Sequence, residues 1–173
     1  MRRSRIFRWL IRIFVLFLTT CVSLISFLGI VSAGRILSDP GNISIPDGDV
    51  EMYFDLTDIE NSYFKVPFNV TNAGYFDLTE FYLKFDIIMI YNITGQIAKI
   101  YEKNVNFRDI PKGQTLHDIF ETNSSDFKNV PAYQYVDSSV PMLFRANVTV
   151  SASYALELLS LSVEIRDFDL GTV

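Results

Sequence analysis

The sequence predicts one membrane-spanning helix followed by a mostly-β domain, an antiparallel β-sandwich of about seven strands. Three observations lead to this fold class. Residues 13–34 form an uncharged apolar segment, the basic and acidic residues are divided across it, and residues 48–170 contain short runs of alternating apolar and polar residues separated by turns. A chain of 173 residues has room for such an anchor and one domain.

The first twelve residues form a basic tail. Five of the fifteen Lys and Arg residues lie there, at positions 2, 3, 5, 8 and 12, whereas all twenty Asp and Glu residues follow Arg35. Residues 36–173 carry nine basic and twenty acidic side chains, a net charge of −11. Because Lys and Arg favour the cytoplasmic side of a membrane helix, we expect a cytoplasmic N-terminus and an extracellular domain. The acidic domain argues against nucleic-acid binding, which requires clustered Lys and Arg.

Residues 13–34 are long enough to cross a bilayer. About 20 apolar residues span the ~30 Å hydrocarbon core as a helix, whereas the apolar region of a signal peptide has about 7–15 residues. We therefore interpret the segment as a retained single-pass anchor in the cell membrane. The small residues of Val31-Ser32-Ala33 also suit a signal peptidase, so cleavage after Ala33 is the alternative.

Five Asn-x-Ser/Thr sequons follow the helix. Their acceptor residues are Asn42, Asn69, Asn92, Asn123 and Asn147. An excess of this motif beyond the helix predicts a glycoprotein of an archaeal envelope or a eukaryotic secretory route. Enrichment of Thr in strands is the alternative explanation for the motifs at Asn69 and Asn147.

The chain after the helix begins with turn-forming residues, and residues 35–47 are predicted to be a linker. Seven β-type runs follow, at residues 50–57, 63–71, 81–92, 96–107, 114–121, 142–153 and 158–168. Their alternation places apolar side chains on an inward face, among them those of Phe54, Phe68, Phe81 and Phe85. Pro67 lies within the second run, and its missing N–H predicts an edge or a bulge. Closely spaced turns between short runs favour an antiparallel sandwich.

One long portion of the chain resembles a known family. The stretch from Phe64 to Asn72, followed by a turn and the alternating run 81–90, resembles the opening of LEA14-like domains, also called the LEA type 2 or water-stress and hypersensitive-response family. The resemblance continues through residues 98–107, the turn at Pro111-Lys112-Gly113 and the paired final runs, and it covers about residues 48–168. Where the family usually has Asn-Pro, this chain has Asn72-Ala73.

The resemblance implies a seven-stranded sandwich of the immunoglobulin or fibronectin type III kind, with no catalytic centre. Several archaeal and plant members are similar in having a short basic tail, one membrane helix and this domain outside. No functional residues follow from the resemblance, because the family has no agreed site motif.

The residue types of common catalytic and metal sites are scarce. His117 is the one histidine and is expected at the surface, so a catalytic triad has a single possible base. With one His and no Cys beyond the apolar segment, the usual zinc ligand sets are excluded. We expect no enzymatic activity and no cofactor. Asp47, Asp49, Asp167 and Asp169 are weak Ca²⁺ candidates, because oxygen-rich loops at one end of a sandwich bind this ion. A solvated acidic rim is the alternative interpretation.

Residues 122–141 are polar, contain two prolines and are predicted to be one long loop with a helical turn after Ser124. Phe127, Tyr133 and Tyr135 within it are candidates for a binding loop, since loops on rigid scaffolds often carry recognition residues. Partial packing over the end of the sandwich is the alternative.

These features lead to one main functional hypothesis, a non-catalytic, membrane-anchored extracellular module that binds or scaffolds other envelope proteins. One alternative is a structural subunit that binds itself and assembles into a surface layer or filament. A second, taken from the family resemblance, is a stress protectant. A third, an enzyme using paired carboxylates such as Asp55 and Asp58, is less favoured because a sandwich this small offers little room for a cleft.

Overall fold

The computed structural model describes residues 3–154 and 157–173. It begins with a long helix, α1 (Arg3–Ser38), whose 36 residues extend over about 54 Å at 1.5 Å per residue. Ile6–Ser38 is long and apolar enough to cross a membrane, a property that a signal sequence near the N-terminus shares.

α1 ends where Pro40 prevents its continuation, and a 3-10 turn, Pro40–Asn42, follows. The side-chain Nδ2 of Asn42 donates hydrogen bonds to the carbonyl oxygens of Arg35 and Ile36, each at 3.2 Å. Both are terminal carbonyls that lack a backbone N–H partner within the helix. Residues 35–47, which the sequence assigns to a linker, therefore contain the last turn of α1, this 3-10 turn and a short strand.

Eight strands form in the described residues. They are β1 (Ile43–Ser44), β2 (Glu51–Tyr53), β3 (Tyr63–Thr71), β4 (Thr79–Tyr91), β5 (Gln96–Asn106), β6 (Thr115–Glu121), β7 (Leu143–Tyr154) and β8 (Leu159–Thr172). β1 is the strand without a counterpart among the predicted runs. β2 is shorter than its run because the Asp55 carboxylate accepts hydrogen bonds from the backbone N and Oγ1 of Thr57 and turns the chain. A 3-10 turn at Ser124–Asp126 matches the predicted helical turn.

The strands form two antiparallel sheets, which confirms the predicted class of an N-terminal apolar helix followed by a β-sandwich. In the first sheet, β3 pairs with β6 along one edge, and β1 and β2 share its other edge. The second sheet has the order β5-β4-β7-β8, with β7 and β8 as the predicted closing pair.

Pro67 lies in the middle of β3, paired with Ile119 of β6, so the predicted edge position is wrong. Its carbonyl oxygen accepts a hydrogen bond from the backbone N of Asp47 at 2.8 Å. Since the N and C=O of one strand residue point the same way, the ring nitrogen faces the gap between β1 and β2. The missing N–H therefore removes no bond from a strand ladder.

The core between the sheets is rich in phenylalanine. Phe54, Phe68, Phe81 and Phe85 are buried on the predicted inward faces. The rings of Phe85 in β4 and Phe120 in β6 stack across the two sheets with centroids 3.7 Å apart. Aromatic burial of this kind supplies much of a small domain's stability.

The two ends of the sandwich differ in their relation to α1. β3 runs toward the helix, and the turn that follows it, residues 72–76, contacts α1. We call this the proximal end. The distal end, at the other ends of the same strands, carries residues 54–62, the β4–β5 turn at residues 92–95, the loop 122–142 and the C-terminal Val173.

The proximal turns are held together by the buried side chain of Asn72. Its Nδ2 donates to the carbonyl oxygens of Phe76 and Ile110, each at 2.9 Å, and its Oδ1 accepts from the backbone N of Gly74 at 3.0 Å. Gly74 packs directly against the helix, because a Cβ there would lie 3.2 Å from Cβ of Ser32. α1 and the sandwich thus share one packed junction.

Candidate functional site

The distal end carries an open cleft of about 600 Å³. Phe54, Val140 and Met142 contribute apolar surface, and Tyr53 and Tyr133 stand at its border. The cleft joins three chain segments, namely the residues after β2, the second half of the loop 122–142, and the C-terminus. An apolar floor with a few tyrosines is the usual composition of a recognition site.

The loop beside the cleft is fixed by Asn92, in the β4–β5 turn. Asn92 has a left-handed backbone, with φ of 62°. Its Oδ1 accepts a hydrogen bond from the backbone N of Asp137 at 2.7 Å, and its Nδ2 donates to the carbonyl oxygen of Tyr135 at 3.1 Å and to Oε1 of Gln96 at 3.2 Å. The 3-10 turn Tyr133–Tyr135 is therefore attached to the rigid sheet rather than suspended over it.

Asp137 continues this attachment on the other side of the turn. Its Oδ1 accepts hydrogen bonds from the backbone N of Ser139 at 2.9 Å and from the Ser139 hydroxyl at 2.6 Å. These two bonds lower the pKa of the Asp137 carboxyl from its usual value, and the bond from the hydroxyl has the larger effect. The carboxylate thus organises the loop and remains ionised at neutral pH.

Large apolar side chains are left exposed around the Asn92 attachment. Tyr133 is 63% exposed, Tyr135 70% and Ile93, at the tip of the β4–β5 turn, 84%. Ile97, at the start of β5, is also exposed. We call these four residues the distal patch. Exposed aromatic and branched residues held by an ordered backbone are typical of protein-binding surfaces.

The predicted binding loop is divided by the fold. Tyr133 and Tyr135 lie on the surface, whereas the ring of Phe127 packs within 6.0 Å of the rings of Phe54, Phe64 and Tyr101. Phe127 also pairs with Tyr101 in an isolated β-bridge. Burial raises the pKa of Tyr101 to about 12 in this cluster. Phe127 is thus partly buried against the core, as in the alternative interpretation of the loop.

The four Ca²⁺ candidates do not converge. Asp47 lies 3.7 Å from Nδ1 of the exposed His117, and Asp167 lies 3.9 Å from the guanidinium of Arg145. Asp49 and Asp169 border one shallow depression. Within residues 3–154 and 157–173, no group of three or more His, Cys, Asp or Glu side chains has metal-site geometry.

The carboxylate pair considered for an enzyme has local structural partners. Asp55 accepts two hydrogen bonds from Thr57, and both lower the pKa of its carboxyl, the bond from the hydroxyl more strongly. Asp58 accepts one from Nδ2 of Asn61 at 2.6 Å. A general acid requires a raised pKa, so the environment of Asp55 favours a turn-forming role.

The five sequon asparagines lie in different environments. Nδ2 is the atom to which a glycan is joined, and it is occupied by hydrogen bonds in Asn42 and in Asn92. Asn69 and Asn147 are half-buried within β3 and β7. Asn123 is exposed, and only its Oδ1 is engaged, by the backbone N of Ser125 at 3.2 Å.

A charged cluster on the outer face of the second sheet was not anticipated from the sequence. Lys84 and Asp86 of β4 face Lys99 and Glu102 of β5. Nζ of Lys84 lies 2.8 Å from Glu102 and 3.4 Å from Asp86, and Nζ of Lys99 lies 2.7 Å and 3.2 Å from the same two carboxylates. The i,i+2 spacing of Lys84 and Asp86 is the one sequence signal for it. The hydrogen bonds from Lys84, which has the larger effect, and from Lys99 lower the pKa of Glu102 to about 2.

The fold and this geometry define a class of protein, an antiparallel β-sandwich packed onto the end of an apolar N-terminal helix. No family model matches this chain, and no curated protein matches it either. The resemblance to LEA14-like domains therefore stays a prediction.

Proposed function

We propose that this chain is a non-catalytic, membrane-anchored module whose distal end binds another protein of the cell envelope. The observation that carries the proposal is the distal patch, in which Tyr133, Tyr135 and Ile93 are exposed on a backbone held by the side chain of Asn92. Tyrosines on an ordered loop bury large areas at low entropic cost, since little conformational freedom is lost on binding.

The direction of the helix supports this assignment of the binding end. α1 packs at the proximal end, so the distal cleft and patch face away from the anchor. With the basic tail in the cytoplasm, the patch would lie on the extracellular side, at the greatest distance from the bilayer that the domain allows. The cleft beside it adds apolar surface for a protruding side chain of the partner.

Site-specific photo-cross-linking in native membranes tests the binding end. A benzophenone amino acid replaces Tyr135 in one variant and Tyr82, on the outer face of β4, in a matched control. We expect a discrete adduct from the Tyr135 position and none from the Tyr82 position. Equal adducts from both positions, or none from either, would contradict the proposal. An adduct with the mass of two copies would support self-assembly instead.

Anchorage is tested separately by membrane fractionation. We expect the full chain to resist alkaline extraction from membranes and its mature form to retain the residues before Gly34. Mass spectrometry that finds a mature N-terminus at Gly34 would show a released domain and would remove the anchored part of the proposal.

A further inference from the structure

We infer that the proximal end of the domain is immersed in the outer face of the bilayer, with the start of β8 beside α1 and Leu158, directly before that strand, in contact with lipid. This inference rests on the anchorage proposed above and adds a second membrane contact, made by the β domain itself. Its partner is the phospholipid surface.

The first step is the length of helix that the domain covers. Ser32 and Ile36 are buried, and Ile25 and Ala33 are partly buried against the core. From Ile25 to Ile36 the helix rises about 16 Å, at 1.5 Å per residue. The domain therefore packs along the second half of α1 and not only at its end.

The second step is that the opposite side of the same stretch is apolar and exposed. Phe27 and Ile30 are 63% and 65% exposed, although they lie between Ile25 and Ile36 in the sequence. Exposure of apolar side chains is unfavourable in water but not in lipid, so this surface is suited to contact with lipid. Shifting the span toward the N-terminus would bring Arg8 and Arg12 toward the membrane interior, where an unpaired charge is unfavourable. The lipid-facing part of α1 thus extends past Ile30 toward the C-terminal end of the helix, so it overlaps the part of the helix against which the domain packs.

The third step is the shape of the proximal end. β4 begins at Thr79, opposite Ser153, so that Tyr154 and Leu159 of the β7–β8 hairpin extend beyond it. α1 contacts β8, whose first residues lie at the same proximal end as the turn 72–76 that contacts α1. The start of β8 therefore lies on the side of the domain that α1 covers, and Leu158, directly before β8, is 54% exposed. An exposed leucine at this level has the bilayer as its neighbour.

The fourth step is a pair of cations at the height where the apolar helix ends. The guanidinium of Arg35 lies 4.6 Å from the centroid of the Tyr75 ring, and Nζ of Lys112 lies 5.7 Å from it. Among the described residues, neither cation has a carboxylate within 4.0 Å. Tyrosine with Lys or Arg is the usual composition of a membrane interface, where the cations reach lipid phosphates.

The depth is limited by the backbone. An open strand edge is not stable in the hydrocarbon core, because its N–H and C=O groups would lack partners. Leu158 therefore lies at the boundary of headgroups and acyl chains, about 5–10 Å below the surface, as interfacial segments do.

Tryptophan fluorescence of the full chain in phosphatidylcholine nanodiscs tests this placement. Trp9 is the one tryptophan, so Trp9→Phe supplies a silent background. Leu158→Trp reports on the proximal turn, and Ile93→Trp, at another exposed turn, is the matched control at the distal end. We expect brominated lipid to quench the tryptophan at position 158 and aqueous acrylamide to quench the one at position 93.

The outcomes separate the inference from the proposal on which it rests. Failure of the chain to co-migrate with the nanodiscs would overturn both the anchorage and the immersion. Co-migration with a tryptophan at position 158 as accessible to acrylamide as that at position 93 would overturn the immersion alone. Leu158→Cys, labelled with an environment-sensitive dye, gives the same comparison if tryptophan disturbs the hairpin.

Discussion

The Oγ of Ser32, in the apolar helix, accepts a hydrogen bond of 2.8 Å from the backbone N of Tyr75, in the first proximal turn of the sandwich. The two residues are 43 positions apart, and Ser32 is buried. A hydroxyl within an apolar helix would be interpreted from sequence as a neutral residue of a span. In the fold, the Ser32 hydroxyl accepts the hydrogen bond of a backbone amide at the helix–domain junction, so α1 is a structural part of the domain.

Ser32→Ala should loosen this junction. The substitution leaves the Tyr75 amide without its acceptor, which costs about 1–3 kcal/mol for a buried group. Hydrogen exchange of the full chain in detergent measures the effect, and we expect faster exchange in residues 73–76. Ser23→Ala, at an exposed position of the same helix, is the control and should leave exchange unchanged. Unaltered protection in Ser32→Ala would show that the hydrogen bond contributes nothing to the junction.

The elements that could be predicted from the sequence are those in which apolar residues recur at a regular short spacing. The alternation in β4 placed Phe81 and Phe85 on the inward face because a strand repeats every two residues. β1 was not predicted, since its two residues are defined only by pairing with Val70 and Asn69 of β3. The docking of α1 was not predicted for a similar reason, because hydropathy does not distinguish a lipid-facing residue from one that faces a domain.

At the candidate site, too, the residue types could be predicted from the sequence but their tertiary contacts could not. Phe127, Tyr133 and Tyr135 belong to one polar loop, and their residue types suit a binding role equally well. Only tertiary contacts distinguish the partly buried ring of Phe127 from the exposed rings of the two tyrosines. The attachment by Asn92 joins residues 43 to 45 positions apart, a distance at which no sequence period operates.

Asn92→Gly should release the loop beside the cleft. Glycine tolerates the left-handed backbone at this position, so the substitution removes the side-chain hydrogen bonds without adding strain. We expect faster hydrogen exchange in residues 133–138 and a weaker cross-link from position 135, with the rest of the sandwich unchanged. Thr94→Ala removes the same sequon but keeps Asn92, so it controls for any glycan. Equal exchange in the two variants would show that Asn92 does not hold the loop.

The sequons should be used unequally. Asn123 is exposed, and it caps the following 3-10 turn through Oδ1 and not through Nδ2, the atom that carries a glycan. In Asn42, by contrast, Nδ2 donates hydrogen bonds to two carbonyl oxygens of α1. In a host that glycosylates this motif, Asn123→Gln should remove one glycan, seen as faster migration on a gel and as a mass loss. Asn42→Gln should leave the glycan mass unchanged. A glycan found at Asn42 and not at Asn123 would contradict this order.

The contact between Phe85 and Phe120 should contribute strongly to stability, because it joins the two sheets. Phe120→Ala removes a buried ring and leaves a cavity, which lowers the free energy of unfolding by about 3–5 kcal/mol. Ile119→Ala, the neighbouring residue with its side chain on the exposed face of β6, is the matched control and should have a small effect. Guanidinium denaturation of the two variants makes the comparison, and similar midpoints would argue against a stabilising role for the stack.

The charged cluster on β4 and β5 should make stability depend on pH in acid. The bonds from Lys84 and Lys99 hold the pKa of Glu102 at about 2 in the folded chain, below its ordinary value of 4.5. Since the folded-state pKa is the lower one, the stabilisation is fully present above pH 4.5 and is lost as the pH falls toward 2. Glu102→Gln should therefore lower the denaturation midpoint at pH 7, and the difference from the wild type should vanish near pH 2.

Salt and a matched carboxylate separate this effect from a general one. The cluster is on the surface, so added NaCl should reduce the difference at pH 7 through screening. Glu60→Gln removes an exposed carboxylate that has no ion pair among the described residues, and it should leave the midpoint unchanged at either pH. A Glu102→Gln difference that persists unchanged from pH 7 to pH 2 would mean that the side chain stabilises the sheet through packing and not through its charge.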